Sequence, residues 1–119
     1  MTNLQIYTVV QSLSNLGEEL KSIRMPIRIG FYLQKNIKVI QQAAEEIEAA
    51  RLSIGEQFGE HNGSGYVIPD EKIEEANREL QELFSLEQDL PIHIFKLDDF
   101  DGIELTYQQL SAIMFMIEE

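Results

Sequence analysis

Residues 27–58 read IRIGFYLQKNIKVIQQAAEEIEAARLSIGEQF, and their hydrophobic spacing decides the fold. Apolar side chains recur at alternating steps of three and four residues, with Arg51 filling one slot. Such spacing puts them on one face of a helix for about four heptads. We predict a helix of about 30 residues, longer than the average. Its apolar seam consists of Leu33, Ile37, Ile40, Ala44, Ile47, Ile54 and Phe58.

The flanking segments indicate how this helix is used. Residues 4–23 also have helical apolar spacing, although Gly17 is a position where a helix can break. Pro26 suits the first turn of the long helix, and Gly59 suits its end. The short connection favours antiparallel packing of the two helices. The seam can then be the inside of a hairpin or, alternatively, an intermolecular coiled coil.

The chain after Gly59 carries the signals of shorter elements. The glycine-rich stretch His61-Asn62-Gly63-Ser64-Gly65 predicts a turn, and residues 66–68 predict a very short strand. Proline and two acids at 69–71 predict the start of a helix. The expected core face of that helix is Ile73, Ala76, Leu80, Leu83 and Phe84.

The last thirty residues predict a strand and a final helix. Residues 90–97 alternate as a strand does, and residues 103–105 predict either a second short strand or a lead-in to the helix. Thr106 and Gln109 have the spacing of a capping box. The expected buried face of the final helix is Leu110, Ile113, Met114 and Ile117.

Together these elements predict a single α+β domain, residues 1–119, that is mainly α. Residues 1–58 form an N-terminal helical hairpin with one long helix. Residues 59–119 form an acidic α+β part, with a short β-hairpin-like element and two further helices.

The net charge of −12 is unevenly placed. Residues 1–58 hold six acids and six bases, whereas residues 59–119 hold fifteen acids and three bases. Direct nucleic-acid binding is disfavoured because it needs a basic footprint, and a protein partner with a basic surface is favoured instead. There is no cysteine, no apolar run of about 18 residues and no basic signal region at the start, so we expect an intracellular protein without a membrane anchor.

Catalytic and metal-binding patterns are not recognisable. The two histidines, His61 and His93, are far apart and have no zinc-site spacing. A calcium loop ending at Asp101 and Gly102 would need an oxygen ligand where Leu97 stands and a bidentate acid where Gln108 stands. We therefore expect no cofactor, no metal ion and no enzymatic activity.

The acidic helix carries a row of like charges. Glu71, Glu75 and Glu79 are four residues apart, which costs helix stability, whereas Arg78 is well placed to pair with Glu74. The row is either a solvated face or a docking face for a basic partner. Phe115 and Met116 fall off the buried face of the last helix, and we predict them as apolar anchors of the same interface. The alternative is that they pack against the strand at 92–97.

A second cluster has the opposite sign. It consists of Lys21, Arg24, Arg28, Lys35 and Lys38. It is either an internal counterpart to the acidic half or a patch for phosphate or nucleic acid.

The order of the pieces resembles a known group of proteins. A long helix ending in ARLSIGEQFGE is followed by an Asn-Gly turn, then YVIPDE, then ANRELQELFSLEQDLPIHIFKLDDFDGIELTYQQLSAI. This resembles a family of small proteins encoded by tailed phages and prophages of Gram-positive bacteria, from about Leu16 onward. The family supplies no functional residues to carry over.

The resemblance implies a small phage protein that acts in the host bacterial cytoplasm. We expect a monomer or dimer that binds and inhibits a host protein, such as a defence-associated sirtuin that depletes NAD. A phage structural or morphogenesis protein is the first alternative. An acidic nucleic-acid mimic is the second, although the neutral first half counts against it.

Overall fold

A computed structural model describes residues 1–61 and 66–118, and the side chains of His61 and Tyr66 are not described. The turn predicted at 61–65, with Gly63 and Gly65, therefore lies outside the described residues apart from the backbone of His61. Within the described part the chain is mainly helical, as predicted. It has an N-terminal hairpin with one long helix, two further helices and two very small sheets.

The first helix, α1, covers Asn3–Leu16. The Thr2 side chain accepts from the Gln5 N–H and the Gln5 side chain accepts from the Thr2 N–H, so a capping box starts the helix. Gly17, at a φ of 59°, ends it. An L-residue with a Cβ adopts that conformation reluctantly, so the predicted break falls where glycine supplies the turn.

The long helix, α2, covers Ile27–Phe58, as predicted from its seam. Pro26 precedes its first turn, and the Gly59 N–H donates to the Gly55 carbonyl at its end. α1 runs antiparallel to α2: Tyr7 contacts Glu48, whereas Leu13 and Gly17 line a cavity with Gln34. Leu33, Ile40, Ala44 and Ile47 are buried in the same core as Ile6, Leu13 and Leu16. The seam is therefore the inside of a hairpin.

The seam weakens towards the end of α2. Ile54 and Phe58 are half-buried, and Arg51 is exposed beside Glu48. Two short strands follow the end of α2. β1 (Glu60–His61) pairs antiparallel with β2 (Tyr66–Val67). The predicted hairpin-like element is thus present, with two residues in each strand.

The third helix, α3, covers Ile73–Ser85 and follows a 3₁₀ turn at Asp70–Lys72. Its C-terminal end lies against the start of α1, because the Asn3 side chain donates to the Leu83 carbonyl at 2.8 Å and its N–H donates to the Leu86 carbonyl at 2.8 Å. Tyr7, which contacts Glu48, also packs edge-on against Phe84. α3 therefore lies beside the C-terminal half of α2.

The strand predicted at 90–97 is mostly irregular backbone. Only β3 (Phe95–Lys96) pairs, and its parallel partner is β4 (Ile117–Glu118). Residues 103–105 are a lead-in to helix α4 (Tyr107–Ile113), which starts at the predicted Thr106–Gln109 capping box. The final helix is shorter than predicted, and Ile117, expected on its buried face, is buried in a strand instead.

Asn36 fastens the irregular segment to α2 and was not predicted to do so. It is 1% exposed. Its amide donates to the His93 carbonyl at 2.8 Å and accepts from the His93 N–H at 2.8 Å, as a neighbouring strand would. The His93 ring stacks on Tyr32 at 4.1 Å and meets Phe95 edge-on. The alternating pattern of residues 90–97 predicted a longer strand than the one present, because a side chain, rather than a neighbouring strand, pairs with the backbone at His93.

Candidate protein-binding surfaces

α3 is amphipathic because its apolar positions recur every three or four residues. Ala76 is buried, and Leu83 and Phe84 pack against the core. Ile73, predicted on the core face, lies in the first turn of α3 and is 40% exposed. With the apolar side inward, the glutamates of the helix face outward.

The acidic row Glu71, Glu75 and Glu79 is exposed along its whole length. Glu71 lies in the 3₁₀ turn before α3, and the other two lie on α3 itself. The predicted pair of Arg78 with Glu74 is present, with Nη2 and Oε1 3.8 Å apart. In the part of the chain that the structure describes, none of the three glutamates of the row has an ion-pair partner.

The predicted apolar anchors are not beside this row as an exposed pair. Met116 is 0% exposed, and Phe115 is half-buried against the core. The helix gives way after Ile113 to a 3₁₀ turn, Met114–Met116. The buried residues of this segment are spaced as one helical face, at i, i+3, i+4 and i+7, so Met116 lies on the same side as the fully buried Ile113: they are Gln109, Ala112, Ile113 and Met116. The predicted buried face included Leu110 and Met114, which are only half-buried, and was one residue out of phase with the real one, so the prediction that Met116 faces outward is wrong.

The basic cluster does not face the acidic row. Its residues lie at the N-terminal end of α2 and in the segment before it, whereas α3 lies beside the C-terminal half. Arg24 lines a cavity with Asp101 and Glu104, and Lys21 pairs with its neighbour Glu18 at 3.3 Å. Across the described residues, no base of the cluster forms an ion pair with an acid of the second half. Ion pairing therefore does not support the interpretation of the cluster as an internal counterpart, and of its members Arg24 lies near acids of the second half.

One polar cluster bridges the two helices of the hairpin. Arg51 Nε donates to Glu48 Oε2 at 3.0 Å, and the Tyr7 hydroxyl donates to the same carboxylate. These hydrogen bonds, from Arg51 above all, lower the pKa of Glu48 to about 2, because they stabilise its ionised form. The same carboxylate raises the pKa of Tyr7. The cluster ties α1 to α2, and the sequence showed only the local Glu48–Arg51 spacing.

Two other polar residues position the second half of the chain. Gln109 is buried, and its amide donates to Glu19 Oε1 at 3.0 Å, which joins α4 to the segment after α1. Asn3, also buried, accepts from the Gln88 amide at 2.7 Å. In a sequence, such buried polar residues can be recognised as polar side chains at positions where helical spacing predicts apolar ones.

Among the residues that the structure describes, no group of three or more histidines, cysteines and acids is close enough together to hold a metal ion. None of the described helices is long and apolar enough to cross a membrane. No protein-family model matches the chain, and no curated protein or solved structure matches it significantly.

Proposed function

We propose that this protein acts without catalysis, by binding a protein that presents a basic surface to the acidic row. The resemblance to small phage proteins directs the proposal to a host target. An antiphage defence enzyme, such as a defence-associated sirtuin that hydrolyses NAD, is the target we propose to test first.

The observation that carries the proposal is the unpaired state of the row among the described residues. Glu75 and Glu79 are four residues apart on α3 and repel each other, Glu71 adds an exposed carboxylate in the turn before it, and no described base lies within ion-pair distance of any of the three. A basic partner would relieve the repulsion on binding. Exposed charges of this kind act mainly through the rate of encounter and the orientation of the complex.

Apolar contacts with the partner would come from residues near the two ends of α3, since Met116 is buried. Val67 precedes the acidic row and is 54% exposed, and Leu86 follows α3 and is 51% exposed. Buried apolar anchors usually contribute more to affinity than rim charges do. Val67 and Leu86 would bracket the charged face and limit the position of a partner along it.

The test uses a purified defence-associated sirtuin and measures NAD hydrolysis with increasing amounts of this protein. We expect inhibition and a complex that survives size-exclusion chromatography. The variant with Glu71, Glu75 and Glu79 changed to Gln should associate about tenfold more slowly at low salt and show a weaker dependence on salt.

The matched control changes Glu45, Glu46 and Glu104 to Gln, which alters the net charge equally at exposed sites outside the row. Its association rate should stay close to that of the wild type. Equal effects of the two triple variants would assign the interaction to net charge and contradict a docking face. Absence of both inhibition and complex formation would contradict the sirtuin as target.

A further inference from the structure

A groove opens at the end of the molecule that is remote from the acidic row. It has a volume of about 830 Å³ and lies between the N-terminal part of α2 and the segment that precedes it. Leu20, Met25 and Leu33 contribute to its apolar lining. A smaller cavity of about 360 Å³ continues along α2 as far as Gln41, is also lined by Glu18, and shares four residues with the groove: Leu20, Lys21, Gln34 and Lys38.

Two large apolar side chains stand exposed beside this lining. Ile27 is 91% exposed and Phe31 is 61% exposed, although both line the groove. They are four residues apart on α2 and therefore on the same side of the helix. Apolar side chains exposed together around a concave apolar surface are typical of an interaction site.

Lysines flank the groove on both walls. Lys21 belongs to the segment before α2, and Lys35 and Lys38 belong to α2. Lys21 pairs with Glu18, but among the described residues neither Lys35 nor Lys38 has an ion-pair partner. The sign of this surface is opposite to that of the protein as a whole, whose net charge is −12.

From the apolar lining and the basic walls we infer that the groove binds an acidic amphipathic helix of another protein. The stretch of α2 from Ile27 to Gln41 is about 20 Å long, enough for three to four turns of a helix laid along it. Apolar side chains spaced at i, i+3, i+4 and i+7 would enter the groove between Phe31 and Leu20. Carboxylates beside that stripe would reach Lys21, Lys35 and Lys38.

Other occupants fit less well. The chain has an acidic amphipathic helix of its own, α3, but the apolar face of α3 already packs in the core, so a second copy could not insert it without unfolding. An anionic membrane would meet the net charge of −12 as well as these lysines. A single partner helix in the groove is repelled less by the acids elsewhere on the protein, because charges farther apart than about 8 Å are largely screened at physiological salt.

This site is independent of the acidic row and lies near the opposite end of a molecule that is 56 Å long. This protein could therefore bind a basic surface through the acidic row and an acidic helix through the groove. The inference therefore adds a second partner class to the proposed function, and it stands if the first partner proves different.

The test measures binding of a fluorescent peptide of about 16 residues, designed as a helix with leucines at i, i+3, i+4 and i+7 and glutamates alongside. Its partner probe has every glutamate replaced by lysine. We expect the acidic peptide to bind with a dissociation constant on the order of 10 μM and the basic peptide at least about tenfold more weakly.

Two groove variants sharpen the test. Phe31→Ser should weaken the acidic peptide about thirtyfold, as loss of an interface anchor does. The double change Lys35→Glu and Lys38→Glu should reverse the preference between the two peptides. Leu97→Ser and Lys96→Glu, at exposed sites that do not line the groove, are the controls and should leave binding unchanged. All five positions are exposed, so thermal unfolding should confirm that each variant is folded.

Three results would overturn the inference. The first is equal binding of both peptides, or none tighter than about 1 mM. The second is self-association of the protein in sedimentation that Phe31→Ser abolishes, which would place a second copy in the groove. The third is binding to phosphatidylglycerol vesicles or to dodecanoate that Phe31→Ser removes while the acidic peptide does not bind, which would make the groove a site for anionic amphiphiles.

Discussion

The hairpin of α1 and α2 and the stretch from residue 86 to residue 118 share one core but are held in it by different means. In the hairpin, periodic apolar faces meet along two regular helices, and the buried residues follow one another every three or four positions. The later stretch has two-residue strands and short turns, and buried amide side chains attach it to the hairpin. Both regions bury apolar side chains, since Phe95, Ile113 and Met116 of the later stretch belong to the same core, but in the later stretch side-chain hydrogen bonds also replace regular pairing of the backbone.

The largest expected effect tests the hairpin. Ile47 is 2% exposed in the seam, and Ile47→Asp should unfold the protein, with a loss of more than about 4 kcal/mol, because it buries an unpaired charge. Circular dichroism and urea titration measure this. Leu52→Asp, five residues on and 49% exposed, is the control and should cost about 1 kcal/mol or less. A folded Ile47→Asp monomer would show that the seam is not core.

The second prediction tests whether Met116 belongs to the core. Met116→Ala should lower the free energy of unfolding by about 3 kcal/mol, since it leaves a cavity beside Asn36 and Ile113. Tyr107→Ala, at 84% exposure, should change it by about 0.5 kcal/mol or less. An unaltered melting temperature for Met116→Ala would restore the interpretation of Met116 as a surface residue.

The third prediction tests how the irregular stretch is attached. Asn36→Ala leaves the N–H and carbonyl of His93 without their partner and should cost about 2 kcal/mol. Hydrogen exchange at the His93 amide should accelerate more than exchange in the middle of α2, because the stretch would open locally. Asn77→Ala, exposed on α3, is the matched control and should leave both measurements near their original values. Uniform acceleration throughout the chain would contradict local attachment.

The smallest effect concerns the polar bridge between α1 and α2. The pKa of Glu48 is lowered to about 2 in the folded protein from 4.5, so its contribution is fully present above about pH 5 and is lost as the pH falls towards 2. The cluster is partly exposed, so we expect a difference of about 1 kcal/mol at most.

The comparison of wild type with Glu48→Gln isolates the contribution of the Glu48 carboxylate to the free energy of unfolding. Between pH 5 and pH 2 the wild type should lose more stability in urea titrations than the variant does. Glu45→Gln, an exposed change one turn earlier, should follow the wild type. Parallel curves for wild type and Glu48→Gln would indicate that the bridge contributes nothing measurable.

The sequence by itself determined the two helices of the hairpin, the break at Gly17, the bounds of α2 and the capping box at Thr106, and it left open whether the seam closes within one chain. Each depends on local chemistry: helical periodicity, a glycine at positive φ, a proline at a helix start, or a hydroxyl that accepts a backbone N–H. It also placed the acidic row on an outward face, since a helix with one apolar face exposes the other.

Only the tertiary structure decided the rest. Asn36 pairs with His93 across 57 positions of the chain, and β3 pairs with β4 although a helix lies between them. Neither pairing leaves a periodic signal, because it depends on which backbone groups meet after the hairpin has formed. The same holds for Met116, which is buried because packing selected a different face of the last helical segment, and for the groove, whose walls come from two segments. Local sequence sets the elements, and long-range hydrogen bonding and packing decide which of their surfaces remain free.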